Sequence, residues 1–176
     1  PPQSGEYLSI LPLLIMAGAV AMASKFLINI GKKHLFNPAA FAVFITALVI
    51  GESASWWIGT QWMLPFVMVS GFLMLRKLRQ FDLAISFVLT AAITTIVIAS
   101  INGNIMISLP RLFTGTAMLF FASIMLTEPL TMPPGRDGRI AYGILVGMLF
   151  NPQAHIGPLH FTPEMTLLIG NLFSYI

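Results

Sequence analysis

Glu128 is the residue whose type and position most clearly indicate chemistry. It stands in Thr127-Glu128-Pro129, at the end of an apolar run, and is one of only six acidic residues in the chain. An ionisable group near membrane depth is by default a functional candidate, because desolvating its charge is costly. The neighbouring Thr127 and Thr131 can hydrogen-bond a bound cofactor or the backbone that Pro129 frees. A structural alternative stays open: an interfacial carboxylate capped by a helix end or paired with Arg136 or Arg139.

A second polar feature occurs twice. The segment 35–40, Leu-Phe-Asn-Pro-Ala-Ala, returns at 149–154 as Leu-Phe-Asn-Pro-Gln-Ala. Each Asn-Pro can open a helix end, because proline lacks an N–H and disfavours helix at the residue before it. Asn37 and Pro38 are therefore candidate ligand contacts, together with the freed backbone. A genuine inverted repeat and a chance match are the two interpretations of the echo.

Aromatic and imidazole side chains complete the candidates. Trp56 and Trp57 are typical of an interfacial belt, but stacking on a planar ring is an alternative that makes Trp57 and Thr60 cofactor contacts. His155 and His160 are five residues apart, which is the wrong spacing for one helical face, so no metal site is predicted. The chain has no cysteine, and it contains no Walker loop and no Gly-x-Gly-x-x-Gly motif.

The composition indicates what must position these groups. Charged residues make up 9% of the 176 residues and hydrophobic residues 57%, against about 25% charged in a soluble domain. Since a span takes about 20 apolar residues, the chain has room for about six or seven helices. We predict an all-α, polytopic transmembrane bundle with short or broken helices and an inverted repeat. The predicted helices are 7–30, 37–51, 57–75, 82–101, 111–127, 139–150 and 164–176.

The positions of the basic residues predict the orientation of this bundle. Seven basic residues fall on one side of the predicted spans and Arg111 on the other, so the positive-inside rule places the C-terminus in the cytoplasm. There is no basic face of the kind that binds nucleic acid. We interpret residues 1–6 as a linker or cleaved end, and 7–176 as one transmembrane domain of a longer protein. The seven are Lys32, Lys33, Arg76, Lys77, Arg79, Arg136 and Arg139.

An ordered set of motifs resembles the NqrB/RnfD family, the membrane subunits of the sodium-pumping NADH:quinone oxidoreductase and of the Rnf electron-transport complex. Phe36-Asn37-Pro38-Ala39 resembles the family's Phe-Asn-Pro-Ala segment, and Thr127-Glu128-Pro129-Leu130-Thr131 resembles its Thr-Asp-Pro-Val-Thr segment. Three further segments resemble the family: the helix end 71–77, the Gly-Arg-x-x-Tyr-Gly pattern at 138–143 and the closing Gly-Asn-Leu-Phe at 170–173. All five segments occur along the chain in the same order as in the family.

The resemblance implies inverted helical repeats, bound flavin and a location in the inner membrane of a prokaryotic cell. Family members attach FMN covalently through a threonine in a Ser-Gly-Ala-Thr-like loop. The corresponding interval 41–60 has no such motif. The cofactor expected here is therefore a non-covalent flavin, either FMN or riboflavin.

Together these observations predict an oxidoreductase component. It would be a membrane module for flavin-mediated electron transfer, with the flavin between broken helices. Electrons would come from a cytoplasmic flavin or NAD(P)H reductase domain or subunit, with quinone as a candidate acceptor and membrane lipid as a further partner. The predicted cofactor contacts are Asn37, Pro38, Trp57, Thr60, Thr127, Glu128 and Thr131. The alternative is a small-solute or vitamin (flavin) transporter or channel.

Overall fold

The computed structural model describes residues 6–31, 33–51, 56–151, 155–156 and 159–175. The chain is mostly helical, which confirms the all-α class. Two short antiparallel hairpins accompany the helices: β1 (Asn29–Ile30) with β2 (Lys33–His34), and β3 (His155–Ile156) with β4 (Leu159–His160). The helices are α1 (Glu6–Leu27), α2 (Pro38–Ile50), α3 (Leu64–Leu78), α4 (Phe81–Ile101), α5 (Ile105–Thr114), α6 (Met118–Phe120), α7 (Arg136–Leu149) and α8 (Pro163–Phe173).

Two parts of the chain are built alike. In each, a helix is followed by a hairpin and then by a second helix: α1, β1–β2, α2 and, later, α7, β3–β4, α8. The second helix begins the same way in both, with a side-chain cap and then proline. Asn37 accepts a hydrogen bond from Ala40 N at 3.0 Å, and Thr162 accepts one from Met165 N at 3.3 Å. These are the preferred residue types for a helix start.

The helices α2 and α8 pack against each other in opposite directions. Asn37, at the start of α2, contacts Asn171 near the end of α8. Trp56, which follows α2, contacts Glu164 in the first turn of α8. The two similar parts of the chain therefore meet along an antiparallel helix pair.

The most extensive helix contact in the described part of the chain is between α4 and α7. A Cβ added to Gly147 would lie 2.7 Å from the carbonyl oxygen of Phe87, and one added to Gly143 would lie 2.8 Å from that of Leu83. Gly143 and Gly147, four residues apart on one face of α7, therefore permit the close approach of the two helices. Three aromatic rings fill the adjacent core with centroid separations of 4.9 to 5.5 Å. They belong to Phe87, Phe121 and Phe150.

Three predicted helices have different bounds. The first, predicted to reach residue 30, ends at Leu27, because the chain turns into the β1–β2 hairpin through Gly31, whose φ is +67°. The helix predicted over 57–75 begins only at Leu64, since Pro65 is suited to a first turn and not to a helix interior, and it ends at Leu78. The helix predicted over 111–127 is broken. The Thr116 hydroxyl donates to Leu112 O and accepts from Met118 N at 3.3 Å, and so replaces helical backbone bonding at the break.

The segment after this break is itself irregular. Residues Phe121–Met125 form a π-helix, in which Leu126 N donates to Phe121 O at 2.9 Å. α5 and the segment Met118–Met125 are bent by 52° relative to each other. Within the described residues, only α4 is long and apolar enough to cross a membrane alone, and the bent pair could form a second span. The outer surfaces of α3 and α4 are nonetheless rich in exposed large apolar side chains.

Gly147→Ala tests the contact between α4 and α7. The added methyl group would meet the backbone of Phe87, which cannot move without shifting α4, so we expect a loss of about 1–3 kcal/mol in the free energy of unfolding. The control is Gly18→Ala, because Gly18 is helical and has no atom within 4 Å of its built Cβ. Thermal unfolding in detergent should show a lower Tm for the first variant only. Equal midpoints would contradict this packing.

Candidate functional site: a buried hydrogen-bond network

Glu128 is held from two sides. Its Oε1 lies 2.8 Å from Nε2 of His34, and its Oε2 accepts a hydrogen bond from the Thr131 hydroxyl at 3.3 Å. The His34 side chain is only 6% exposed, whereas that of Glu128 is 24% exposed. The carboxylate is thus anchored on its inner side and reaches the surface on the other. A carboxylate has about four acceptor positions, so both oxygens keep capacity for a further donor.

Asn171 is the centre of the network. Its side-chain oxygen accepts a hydrogen bond from Asn37 N at 2.8 Å. Its side-chain nitrogen donates to the Tyr142 hydroxyl at 2.9 Å and to Thr131 O at 3.4 Å. Asn171, Tyr142 and Thr131 are completely buried. One amide therefore joins α2, α7, α8 and the segment that carries Glu128.

Five of the predicted site residues lie in or beside this network: Asn37, Pro38, Thr127, Glu128 and Thr131. Most of their polar atoms already have partners. Asn37 caps α2, and the Thr127 hydroxyl donates to Ser123 O at 2.8 Å. Glu128 is the one of these five whose polar side-chain atoms combine partial exposure with spare acceptor capacity. A ligand at this site would meet Glu128 first.

Trp57 and Thr60 lie elsewhere. They follow the C-terminal end of α2, whose 13 residues extend roughly 20 Å from Asn37. Trp57 is 64% exposed and Thr60 is exposed too. The seven predicted contacts therefore do not share one site. Trp56 differs from its neighbour: it is partly buried and its indole N–H donates to Glu164 at 2.6 Å.

The structural alternative for Glu128 named the wrong partner. Arg139 and Arg136 do not pair with Glu128; their nitrogens lie 3.1 and 3.9 Å from Oδ2 of Asp82. Asp82 is in the first turn of α4, so this ion pair joins the starts of α4 and α7. His34 takes the place that the arginines were expected to fill. The partner was missed because nothing local in the sequence indicates a contact over 94 positions.

Two further polar pairs lie outside this network. Glu164 is buried at 5% exposure and accepts the Trp56 hydrogen bond. Asn151, the asparagine of the echo, donates to the Thr95 hydroxyl at 3.1 Å, and both are buried. Residues 152–154 of the echo, like Lys32 and Glu52, lie outside the described residues. Among those that the structure describes, no group of three His, Asp or Glu side chains could hold a metal ion.

Four buried residues that make polar side-chain contacts were not predicted as site residues: His34, Tyr142, Asn171 and Glu164. Two had visible signals. Asn171 is the one amide in the uncharged run 165–176, and Ile30-Gly31-x-x-His34 recurs as Ile156-Gly157-x-x-His160. This second echo coincides with the two hairpins, which share one pairing pattern. It describes the repeated unit better than the Asn-Pro echo does.

The network gathers one polar residue from each of four motifs that carry the family resemblance: Asn37, Glu128, Tyr142 and Asn171. Comparisons with protein-family models, with curated proteins and with solved structures found no match to this chain. The resemblance therefore stays a prediction, and the function is argued from the residues themselves.

Asn171→Leu should destabilise the fold strongly. It leaves Asn37 N–H and the Tyr142 hydroxyl buried without their partner, and each such group costs about 1–3 kcal/mol. We expect a loss of about 3 kcal/mol, measured by denaturant unfolding in mixed micelles. Tyr142→Phe alone should lose about 1 kcal/mol, and the double variant should lose less than the sum.

Leu172→Ala is the matched control, because the neighbouring Leu172 is exposed. It should leave the unfolding midpoint within experimental error. Strictly additive losses in Tyr142→Phe and Asn171→Leu would show that the two side chains are not coupled.

Proposed function

We propose that this chain is a membrane module for flavin-mediated electron transfer, similar in kind to NqrB/RnfD subunits. A non-covalent flavin would bind beside Glu128, and a cytoplasmic flavin or NAD(P)H reductase domain or subunit would supply electrons. The observation that carries the proposal is the convergence of four separate motifs on one buried network. Residues 37, 128, 142 and 171 are far apart in sequence, yet their polar groups form one connected set.

Two features support a multi-pass position in the inner membrane. Large apolar side chains cover the outside of α3 and α4 to an extent that a monomeric soluble protein rarely shows, among them Phe66, Val69 and Leu89. Basic residues of α3 and α7 gather near the start of α4, where Asp82 binds Arg139, while Arg111 follows the other end of α4. This separation suits the positive-inside rule with the C-terminus in the cytoplasm.

The residues around Glu128 suit a flavin in part. The polar edge of an isoalloxazine ring carries an N–H between two carbonyl groups, and the partly exposed Glu128 carboxylate can accept a hydrogen bond from that N–H. Phe36 and Phe41 stack on each other at 5.6 Å beside the start of α2 and offer a flat apolar surface. A flavin bound there would supply the redox chemistry, while the protein would orient its ring and exclude water.

The antiparallel pairing of α2 and α8 supports the inverted repeat. Each of these helices follows a hairpin, begins with a capped proline and runs against the other. Folds of this kind place ligands at the interface between the repeats. The same observation favours the second candidate function, a small-solute or flavin transporter, because Asn37 and Asn171 meet at that interface.

The absorption spectrum of the purified protein tests the proposal. With bound flavin, we expect a visible flavin band that bleaches when dithionite is added, and recovery of the band when apo-protein is mixed with FMN or riboflavin. A colourless protein that takes up neither compound would contradict electron transfer. Transport would be favoured instead if the protein moved flavin across a liposome bilayer and its flavin were not reduced by NADH and a reductase.

Glu128→Gln tests the proposed binding position. The amide keeps the size of the side chain but loses its charge, and a charge-assisted hydrogen bond is worth at least about 1.5 kcal/mol, so the Kd for FMN should rise about tenfold. Asp137→Asn is the control, because Asp137 is an exposed acid in the first turn of α7. The Kd for FMN of each variant is measured by the quenching of FMN fluorescence in a titration. Equal affinity in the two variants would remove Glu128 from the site.

A further inference from the structure

An open apolar groove separates α3 from α4. Its volume is about 370 Å³, within the range of about 300–1,000 Å³ that small-ligand sites occupy. The irregular segment after α6 contacts both helices and forms the floor, with Ala122 and Ser123. The walls are apolar side chains of α3 and α4, among them Phe72, Leu75, Ile85 and Val88.

One end of this groove is strongly basic. α3 ends with Arg76 and Lys77 in its last turn, directly after the wall residue Leu75, and Arg79 follows as its left-handed cap. All three are exposed. In the part of the chain that the structure describes, no carboxylate lies within salt-bridge distance of any of them, since Asp82 is taken by the arginines of α7.

We infer that this groove binds an anionic phospholipid, with an acyl chain between α3 and α4 and the phosphate at Arg76 and Lys77. Basic pockets beside spanning helices favour anionic head groups. The basic residues at the end of the groove match the charged head group of a lipid, and the apolar walls beside them match its acyl chain. The inference rests on the membrane position proposed above and is independent of the flavin.

The charge at this end argues for a lipid rather than a partner helix. A partner helix would bury Arg76 or Lys77 unless it brought acids of its own, because both side chains are exposed. A phospholipid supplies its own negative charge at that end.

Native mass spectrometry in detergent tests the proposal on the purified protein. The probes are phosphatidylglycerol and phosphatidylcholine with identical acyl chains. We expect one phosphatidylglycerol to be retained at least about tenfold more strongly than phosphatidylcholine, since each basic residue near the head group contributes about 1 kcal/mol. Free glycerol phosphate, which lacks the chains, should not displace it at equal concentration.

Two variants with matched controls assign the binding to this groove. R76Q/K77Q should reduce the preference for phosphatidylglycerol to the contribution of Arg79, about fivefold or less, whereas K25Q/R111Q, with the same change in net charge, should leave the preference unchanged. Val88→Trp should weaken both lipids by filling the groove. Ile96→Trp, two turns further along the same helix and outside the groove, should not.

Equal retention of both lipids, or an unchanged preference in R76Q/K77Q, would overturn the lipid site while leaving the flavin proposal untouched. A protein that stays monodisperse without detergent would overturn the membrane position as well. If Val88→Trp does not fold, R76Q/K77Q still decides the question, because its two side chains are exposed.

Discussion

The side-chain amide of Asn171 makes the hydrogen bonds on which the arrangement of several helices depends. In an apolar interior, a buried N–H or hydroxyl without a partner is expensive, and a single side chain here satisfies a backbone N–H of α2, a hydroxyl of α7 and a carbonyl of the Glu128 segment. Asparagine suits this role because one short group provides both donors and an acceptor. Any arrangement that moved α8 away from its neighbours would leave all of these groups without their partner at once.

Close backbone contact provides the other constraint. Gly143 and Gly147 bring α7 against α4, and this places the Phe87, Phe121 and Phe150 rings together beside the broken helix. Because α7 begins directly after the segment that carries Glu128, its close contact with α4 also fixes where that segment ends. The ion pair of Asp82 with Arg139 closes the same end. The α4–α7 contact and the Asp82–Arg139 ion pair thus both help to position the Glu128 carboxylate.

Composition and periodic apolar runs were sufficient to predict the helical class and most helix positions, because each depends on local residue types. Asn37 was also identified correctly as a helix start, since Asn-Pro acts on its own backbone. The partner of Glu128 could not be found this way. His34 is 94 positions distant, and only the folded chain brings it near. The break at Thr116 was missed because threonine is common within helices and becomes a breaker only when its hydroxyl finds two backbone partners.

The π-helix at Phe121–Met125 has a consequence for the direction in which Glu128 faces. A π-turn holds one residue more than an α-turn, so everything after it is rotated by about 100° relative to a regular helix. The extra residue therefore rotates the chain that leads to Glu128, which lies just after the helix, by that angle relative to Phe121. Deleting one residue from this turn would shift the register of Glu128 relative to Phe121 and so change its position relative to His34. The number of residues in this one turn therefore helps to set the position of the Glu128 carboxylate.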